Sequence, residues 1–258
     1  MSAGLEHSQD STGARITLAV PSFNHGRYLD QALRSIFEQA CPVEVFLMDA
    51  GSSDETATVI ERWQHRLSGW RSAPDAGQAA AINEGIARGR APYVGWLNSD
   101  DWLLPGGLQQ LLHALEQQPQ APMAYGRTFN HWERTGQRKP ALVRPFNRWL
   151  MARLCLISQP GTLIRRSVWE ALGGLDESLH FAMDYDLWWR VCNGCGTPLY
   201  LPDLVAVNRE HRATKTNTQR AHHYREAISV VRRHYGKVPW KWWLAQPYAV
   251  WLRSWKRG

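Results

Sequence analysis

Apolar residues in the first hundred positions alternate between two rhythms. The run Ile16-Thr17-Leu18-Ala19-Val20 is followed by Leu29, Leu33, Ile36 and Phe37 at helical spacing, with Ala32 between them. Short apolar runs bounded by turn residues predict buried strands, whereas recurrence every three or four positions predicts an amphipathic helix. A second run, Val43-Glu44-Val45-Phe46-Leu47-Met48, predicts a second strand. Beyond it, Gly51-Ser52-Ser53-Asp54-Glu55 has the form of a turn with a capping box, Ser52 to Glu55, opening a helix through about Trp63. Ala79 to Arg88 predicts a third helix, Tyr93-Val94-Gly95-Trp96-Leu97 a third strand, and Pro105 to Leu115 a helix that starts with proline. The order βαβαβα predicts a parallel sheet with helices on its faces.

The second half is less regular. Residues 127 to 160 are rich in Arg, Trp and Pro without clear periodicity. Thr162-Leu163-Ile164 then predicts a strand, Ser167 to Leu172 a short helix stopped by Gly173-Gly174, and Asp184 to Cys192 another helix. In sheets of this kind ligands sit beyond the carboxyl ends of the strands, near a switch in strand order. Pro21-Ser22-Phe23-Asn24, Asp49 to Ser53 and Asn98 to Asp101 all follow strands, so three polar loops are expected to meet at one edge.

The most informative stretch is Trp96-Leu97-Asn98-Ser99-Asp100-Asp101. Two adjacent acids at the end of an apolar strand raise each other's pKa unless a cation neutralises them. Oxygen ligands suit Mg²⁺ or Mn²⁺, which also bind substrate phosphates. The plainer alternative is a helix cap ahead of Leu103-Leu104-Pro105.

Many short motifs occur together and in order. They are Pro21 to Asn24, Met48 to Asp54, Pro74-Asp75-Ala76-Gly77-Gln78, Ala81-Ile82-Asn83-Glu84-Gly85 and Trp96 to Asp101. Gln159-Pro160-Gly161-Thr162, Gly173-Gly174-Leu175-Asp176-Glu177 and Met183-Asp184-Tyr185-Asp186-Leu187-Trp188-Trp189-Arg190 follow them. The set resembles the family 2 glycosyltransferases of the GT-A fold, over roughly residues 15 to 215. The resemblance implies a Rossmann-like, mostly parallel α/β sheet flanked by helices, with a nucleotide-sugar half at 15–103 and a smaller acceptor half at 104–215. Residues 1–14 are expected to be disordered and 216–258 to form a basic, Trp-rich helical extension.

The same resemblance implies inverting transfer of a sugar from a nucleotide-diphosphate sugar to a hydroxyl of a glycan or lipid-linked acceptor, in cell-surface polysaccharide synthesis. Asp100-Asp101 stands at the family's DXD position, with Asp101 on the metal and Asp100 at the ribose or metal shell. Pro21, Ser22 and Asn24 would line the nucleotide pocket, closed by Asp49 and Asp75, with Gln78 either touching substrate or supporting the loop. Ala50 replaces an acid that reads uracil in several relatives, so a UDP donor does not follow. His211 resembles a late histidine that contacts metal or diphosphate, with Arg212 and Lys215 near the phosphate charge. Asp184 is the candidate base, although Met183 stands where Glu is usual and leaves Asp186 as the alternative; positions two apart on a helix do not share a face. A sugar-nucleotide or nucleic-acid binding protein without turnover is the rival reading, and a nucleotidyltransferase is disfavoured because no P-loop or GxGxxG is present.

Composition adds three things. The net charge of +7 is concentrated from Arg209 onward, where 12 Lys or Arg face 2 Asp or Glu, so the body before it is acidic. Residues 239 to 258 hold 5 of the 14 tryptophans and four basic residues with no acid. That mixture suits peripheral contact with an anionic lipid surface; packing on its own domain, or on a second subunit as a homodimer, and single-stranded nucleic acid are the alternatives, with no nucleic-acid partner expected. No apolar run reaches 18 residues, and the four cysteines fit free thiols better than a disulfide framework or a zinc site. A cytoplasmic enzyme, peripheral on the inner membrane's cytoplasmic face, is the expectation.

Overall fold

The computed structural model describes residues 13–211, 214 and 219–246. Residues 1–12, Arg212, Lys215 and the last twelve positions of the basic tail, named above, lie outside them. The strands are β1 (Ile16–Ser22), β2 (Val43–Asp49), β3 (Gly69–Ser72), β4 (Tyr93–Trp96), β5 (Trp102–Leu103), β6 (Met123–Trp132), β7 (Gln137–Pro140), β8 (Thr162–Arg165) and β9 (Leu199–Glu210). The helices are α1 (Gly26–Phe37), α2 (Thr56–Trp63), α3 (Gln78–Arg88), α4 (Gly107–Gln117), α5 (Arg148–Met151), α6 (Arg166–Leu172), α7 (Met183–Gly194), α8 (Arg220–Tyr235) and α9 (Trp240–Gln246).

All nine strands join one sheet in the order β3-β2-β1-β4-β8-β6-β9-β5, with β7 hydrogen-bonded to β6. The first four run parallel, each crossover carrying a helix. Beyond β4 the sheet continues through antiparallel β8 and β6, and long β9 lies parallel to β6 and antiparallel to β5. Strand order reverses beside β1, between β2 and β4, and this reversal fixes where a ligand crevice can form.

Strand alternation divides the apolar residues between two faces. Leu18 and Val20 of β1, Leu47 of β2 and Leu163 of β8 pack with Leu29, Leu33 and Ile36 of α1 and Leu108, Leu111 and Leu115 of α4. Ala19, Val94, Trp96 and Ile164 pack on the other face with Ile82 and Ile86 of α3, Trp188 and Trp189 of α7, and Val230 and Val231 of α8. Trp188 and Trp189 are fully buried, and Trp188 stacks on Trp96 at 5.8 Å. Helix α8 therefore belongs to the body's core. In α9, Trp242 packs inward, its indole donating to Ala152 O at 2.7 Å, while Trp240, Trp243 and Leu244 are exposed.

Several local expectations are corrected. Strand β3 went unrecognised because its four residues carry little apolar character and form a sheet edge. The Ser52 to Glu55 capping box does not form: α2 starts at Thr56, whose N–H donates to Asp54 at 3.1 Å, and Ser52 turns back to Asp49. Helix α4 starts at Gly107 rather than Pro105, after Gly106 takes a left-handed φ of 75°. Strands β5, β6, β7 and β9 were also missed, β9 because its run Leu201-Pro202-Asp203-Leu204-Val205 is broken by proline and aspartate. All four cysteines are free.

Helix α4 sits tightly on β9: a Cβ at Gly107 would lie 2.3 Å from the Val205 carbonyl oxygen. Gly107→Ala is expected to destabilise the protein by about 1–3 kcal/mol, read as a lower urea midpoint with an unchanged slope. A midpoint equal to that of the parent would contradict this packing.

Candidate active site

The three polar loops do meet at the carboxyl edge, and hydrogen bonds show how. Ser22 pairs in register with Asp49, and Pro21 O accepts from Ser99 N at 3.3 Å, linking the ends of β1, β2 and β4. Asn24 takes a left-handed φ of 53°, which asparagine tolerates better than most residues. Its N–H donates to Ser52 Oγ at 2.7 Å and its Oδ1 accepts from Ser53 N at 2.9 Å. Pro21 and Ser22 are buried and Asn24 is exposed. The Ser22 hydroxyl is buried without a hydrogen-bond partner among the described residues.

Asp49 is 1 % exposed and is consumed by its own loop. It accepts from Gly51 N at 3.2 Å, Ser52 N at 3.0 Å and the Ser72 hydroxyl at 2.6 Å. Asp75 likewise accepts from Gly77 N at 2.9 Å and pairs with Arg71 at 3.2 Å. Both acids thus brace the loops in which they sit. Gln78 supports a loop, donating to Asn98 Oδ1 at 2.8 Å.

Asn98, absent from the sequence-based set, is a hub of the site. Its Nδ2 donates to Asp101 Oδ2 at 3.1 Å and to Gln159 Oε1 at 3.2 Å. Gln159 in turn donates to Trp96 O at 2.8 Å. Only the geometry exposes these roles, since an asparagine beside two aspartates reads as one more loop residue.

The acidic pair is split. Asp101 points inward, is 2 % exposed, and accepts from Arg209 N at 2.8 Å as well as from Asn98. Burial, then the adjacent Asp100 carboxylate, push its pKa well up. The Arg209 guanidinium donates to Asp100 O at 2.8 Å and lies between the Tyr28 and Trp102 rings, 4.6 Å from each centroid. Asp100 instead meets His211, with Nε2 3.0 Å from Oδ2. The expectation put Asp101 on the metal and Asp100 at the ribose or the metal shell; the structure holds Asp101 on the β9 backbone at Arg209 and places Asp100 beside His211. His25, also absent from the sequence-based set, joins them. One donor atom from each of His25, Asp100 and His211 lies within 4.8 Å of the others, the one such cluster of three among the described residues. Burial lowers the His25 pKa, favouring the neutral imidazole that can ligate a metal.

Helix α7 supplies the second acid. Asp186 is 1 % exposed and bound by Arg190 at 2.7 Å, Arg233 at 3.4 Å and His234 at 2.7 Å. Its pKa is lowered because the His234 and Arg190 hydrogen bonds outweigh burial. Asp184 is half-buried, accepts from Tyr185 N at 2.7 Å, and enters no ion pair among the described residues. Burial pushes it up to about 6. Of the two candidates, Asp184 alone remains uncommitted to a cation. It lies within electrostatic reach of Cys155, whose thiol is raised by desolvation and then by the Asp184 charge. A separate cavity of about 520 Å³, lined by Ile86, Arg166, Trp169 and Gly174 among others, holds none of these residues.

A parallel βαβ half, a reversal in strand order, and an acidic loop at its carboxyl edge define a glycosyltransferase of the GT-A fold. The chain belongs to glycosyl transferase family 2, whose profile matches residues 17–173. It is 23 % identical over 222 residues to an uncharacterized glycosyltransferase of Rickettsia typhi, covering 81 % of this chain and 68 % of that protein. It is also 23 % identical over 183 residues to chondroitin synthase of Escherichia coli, covering 68 % of this chain and 26 % of that one. Among solved structures, S. aureus TarS in complex with UDP-GlcNAc superposes with a TM-score of 0.70 at 15 % identity, over 87 % of this chain and 67 % of that one. The mannosyltransferase PcManGT of Pyrobaculum calidifontis, in complex with GDP-Man and Mn²⁺, gives 0.68 at 20 % identity, over 93 % and 73 %. The chain thus spans about two thirds of the length of the curated relatives it matches first.

The two α7 acids should respond oppositely to neutralisation. Asp184 has a folded value above its ordinary one, so the native state holds the proton more tightly and stability falls as pH rises from 3.8 through about 6. Asp184→Asn is expected to raise stability at pH 7.5 by about 1–3 kcal/mol. Asp186 has a lowered value, so its contribution is present at neutral pH and fades in acid. Asp186→Asn should cost about 3–5 kcal/mol at pH 7.5. Thermal unfolding of both variants checks this; equal shifts of one sign would contradict it.

Proposed function

We propose that the protein transfers a sugar from a nucleotide-diphosphate sugar to a hydroxyl of a glycan or lipid-linked acceptor, with inversion at the anomeric carbon. The observation that carries this reading is the contrast on α7, where Asp186 is held by Arg190, Arg233 and the His234 ring while Asp184 enters no ion pair among the described residues. Holding a carboxylate near pKa 6 costs stability, which is expected of a group selected for proton transfer.

Donor binding falls to the edge formed by Pro21, Ser22, Asn24 and the Asp49 and Asp75 loops. The unpartnered Ser22 hydroxyl, buried at the reversal in strand order, is suited to a ribose or base contact. Asp100 and His211 would hold a divalent cation, Mg²⁺ or Mn²⁺. Their N to O separation of 3.0 Å matches adjacent ligands at about 2.1 Å from one ion, which stand about 3 Å apart. When bound, that ion supplies positive charge beside the departing diphosphate. Asp101, fixed by Arg209 and Asn98, positions Asp100. Asp184 takes the proton of the acceptor hydroxyl as that oxygen attacks from the side opposite the diphosphate.

Exposed Trp240, Trp243 and Leu244 beside Lys241 favour an acceptor carried on an anionic lipid surface. This supports action at the membrane in polysaccharide synthesis, while the described helices include none long and apolar enough to cross a membrane.

Transfer from a panel of UDP-, GDP- and dTDP-sugars, with the product's anomeric configuration read by NMR, tests the reaction. Inversion, loss of turnover with EDTA, and at least a ~100-fold fall in kcat for Asp184→Asn are expected. The rate should climb with pH through an apparent pKa of about 6, as Asp184 must be ionised to accept a proton. Full turnover by Asp184→Asn would assign the base elsewhere, whereas no transfer by the parent from any donor would favour the binding-protein alternative. On vesicles of phosphatidylglycerol, the parent should co-sediment and Trp240→Ser/Trp243→Ser should bind several-fold less; equal binding would remove the membrane contact.

A further inference from the structure

We infer that His25 is a third ligand of the cation site, making it a His-Asp-His set that favours Mn²⁺ over Mg²⁺. Three separate elements bring the donors together. His25 immediately precedes α1, Asp100 lies in the loop after β4, and His211 follows the last residue of β9.

The distances suit one ion. Around a six-coordinate ion with bonds of about 2.1 Å, neighbouring ligands lie about 3 Å apart and opposite ones about 4 Å. The His211 to Asp100 separation is 3.0 Å, that of adjacent ligands, and all three donor atoms lie within 4.8 Å of one another, which brings His25 within a small side-chain adjustment of the same ion. The His25 ring is already oriented from behind. Its Nδ1 lies 3.0 Å from the Ser99 hydroxyl, which is 1 % exposed, and that bond leaves Nε2 as the ring's remaining donor. Ligating histidines are commonly steadied in this way through their other nitrogen.

Charge and packing are compatible with the same role. His25 contacts the rings of Tyr28 and His211 edge-on, at 5.9 and 5.5 Å between centroids. These contacts fix ring planes without covering both nitrogens. Around the cluster stand Asp54, Arg27, Glu133 and Arg209, the last of which is committed to Asp100 O and to the two aromatic faces. Two imidazoles and one carboxylate form a softer set than the all-oxygen shell that Mg²⁺ prefers, and imidazole affinity rises along the first transition row. The metal preference therefore follows from His25, whereas an Asp100-His211 pair alone would discriminate less.

The inference rests on the proposed reaction only in taking this ion to be the one that serves the diphosphate. Its test is Mn²⁺ and Mg²⁺ binding to the purified chain by titration calorimetry, with UDP or GDP present and absent. Nitrogen couplings to bound Mn²⁺ are read in parallel by pulsed EPR. The parent is expected to bind Mn²⁺ more tightly than Mg²⁺ and to show coupling to two imidazole nitrogens. His25→Ala should weaken Mn²⁺ by about ten-fold or more, narrow the Mn²⁺ to Mg²⁺ ratio and lose one nitrogen coupling. Its unfolding midpoint in EDTA should match that of the parent, separating lost ligation from lost folding; His25→Gln provides a second, bulkier variant if it does not. Unchanged Mn²⁺ affinity in both His25 variants, with binding lost in Asp100→Ala, would overturn the inference and leave the two-ligand site standing. Absence of Mn²⁺ binding by the parent under every condition would overturn both.

Discussion

Two adjacent carboxylates cannot share one environment at the end of a buried strand, and the fold separates them. Asp101 is turned into the body, where its carboxylate accepts hydrogen bonds from the Arg209 backbone N–H of β9 and from the Asn98 side-chain amide. Asp100 is left facing His211 and His25. Everything else at the site follows from that division. Strand β9 has to be long enough to deliver both Arg209 and, immediately past its end, His211. Helix α4 has to press on Val205 to keep β9 in place. The chain Gln78-Asn98-Gln159 ties the acidic loop to α3 and to the segment preceding β8.

Helix α7 shows the same economy of charge on a smaller scale. Asp184 and Asp186 differ by two positions and therefore face in different directions. One is surrounded by Arg190, Arg233 and His234 and holds α8 against the core. The other has no ion-pair partner among the described residues, and burial pushes its pKa up to about 6. Orientation, together with α8, a helix beyond the family-matched segment, thus separates an acid held by ionic and hydrogen-bonding partners from one that enters no ion pair among the described residues.

The parallel half was legible because its strands are uninterrupted apolar runs and its helices carry regular stripes. The edge strand β3 and the broken strand β9 were not, since their stability comes from neighbours rather than from their own residues. Loop convergence could be read from the positions of Ser22, Asn24, Asp49 and Asp100 just past strand ends. Which acid faces which way could not: in Asp100-Asp101 the choice is made by a backbone N–H at Arg209, more than a hundred residues later. His25 was hidden for the same reason, because a lone histidine after Asn24 acquires meaning only when β9 brings His211 beside it. Asp49 and Asp75 show that residue types suited to ligand contact also organise loops, through bonds to Gly51 N, Ser52 N and Gly77 N that no spacing predicts.

The division of the acidic pair is most directly tested by a crystal structure with Mn²⁺ and a nucleoside diphosphate, the ion located by its anomalous scattering. The account predicts the anomalous peak on Asp100 and His211, between them and the diphosphate, with Asp101 still bonded to Arg209 N. A peak on Asp101, with that backbone bond broken, would contradict it.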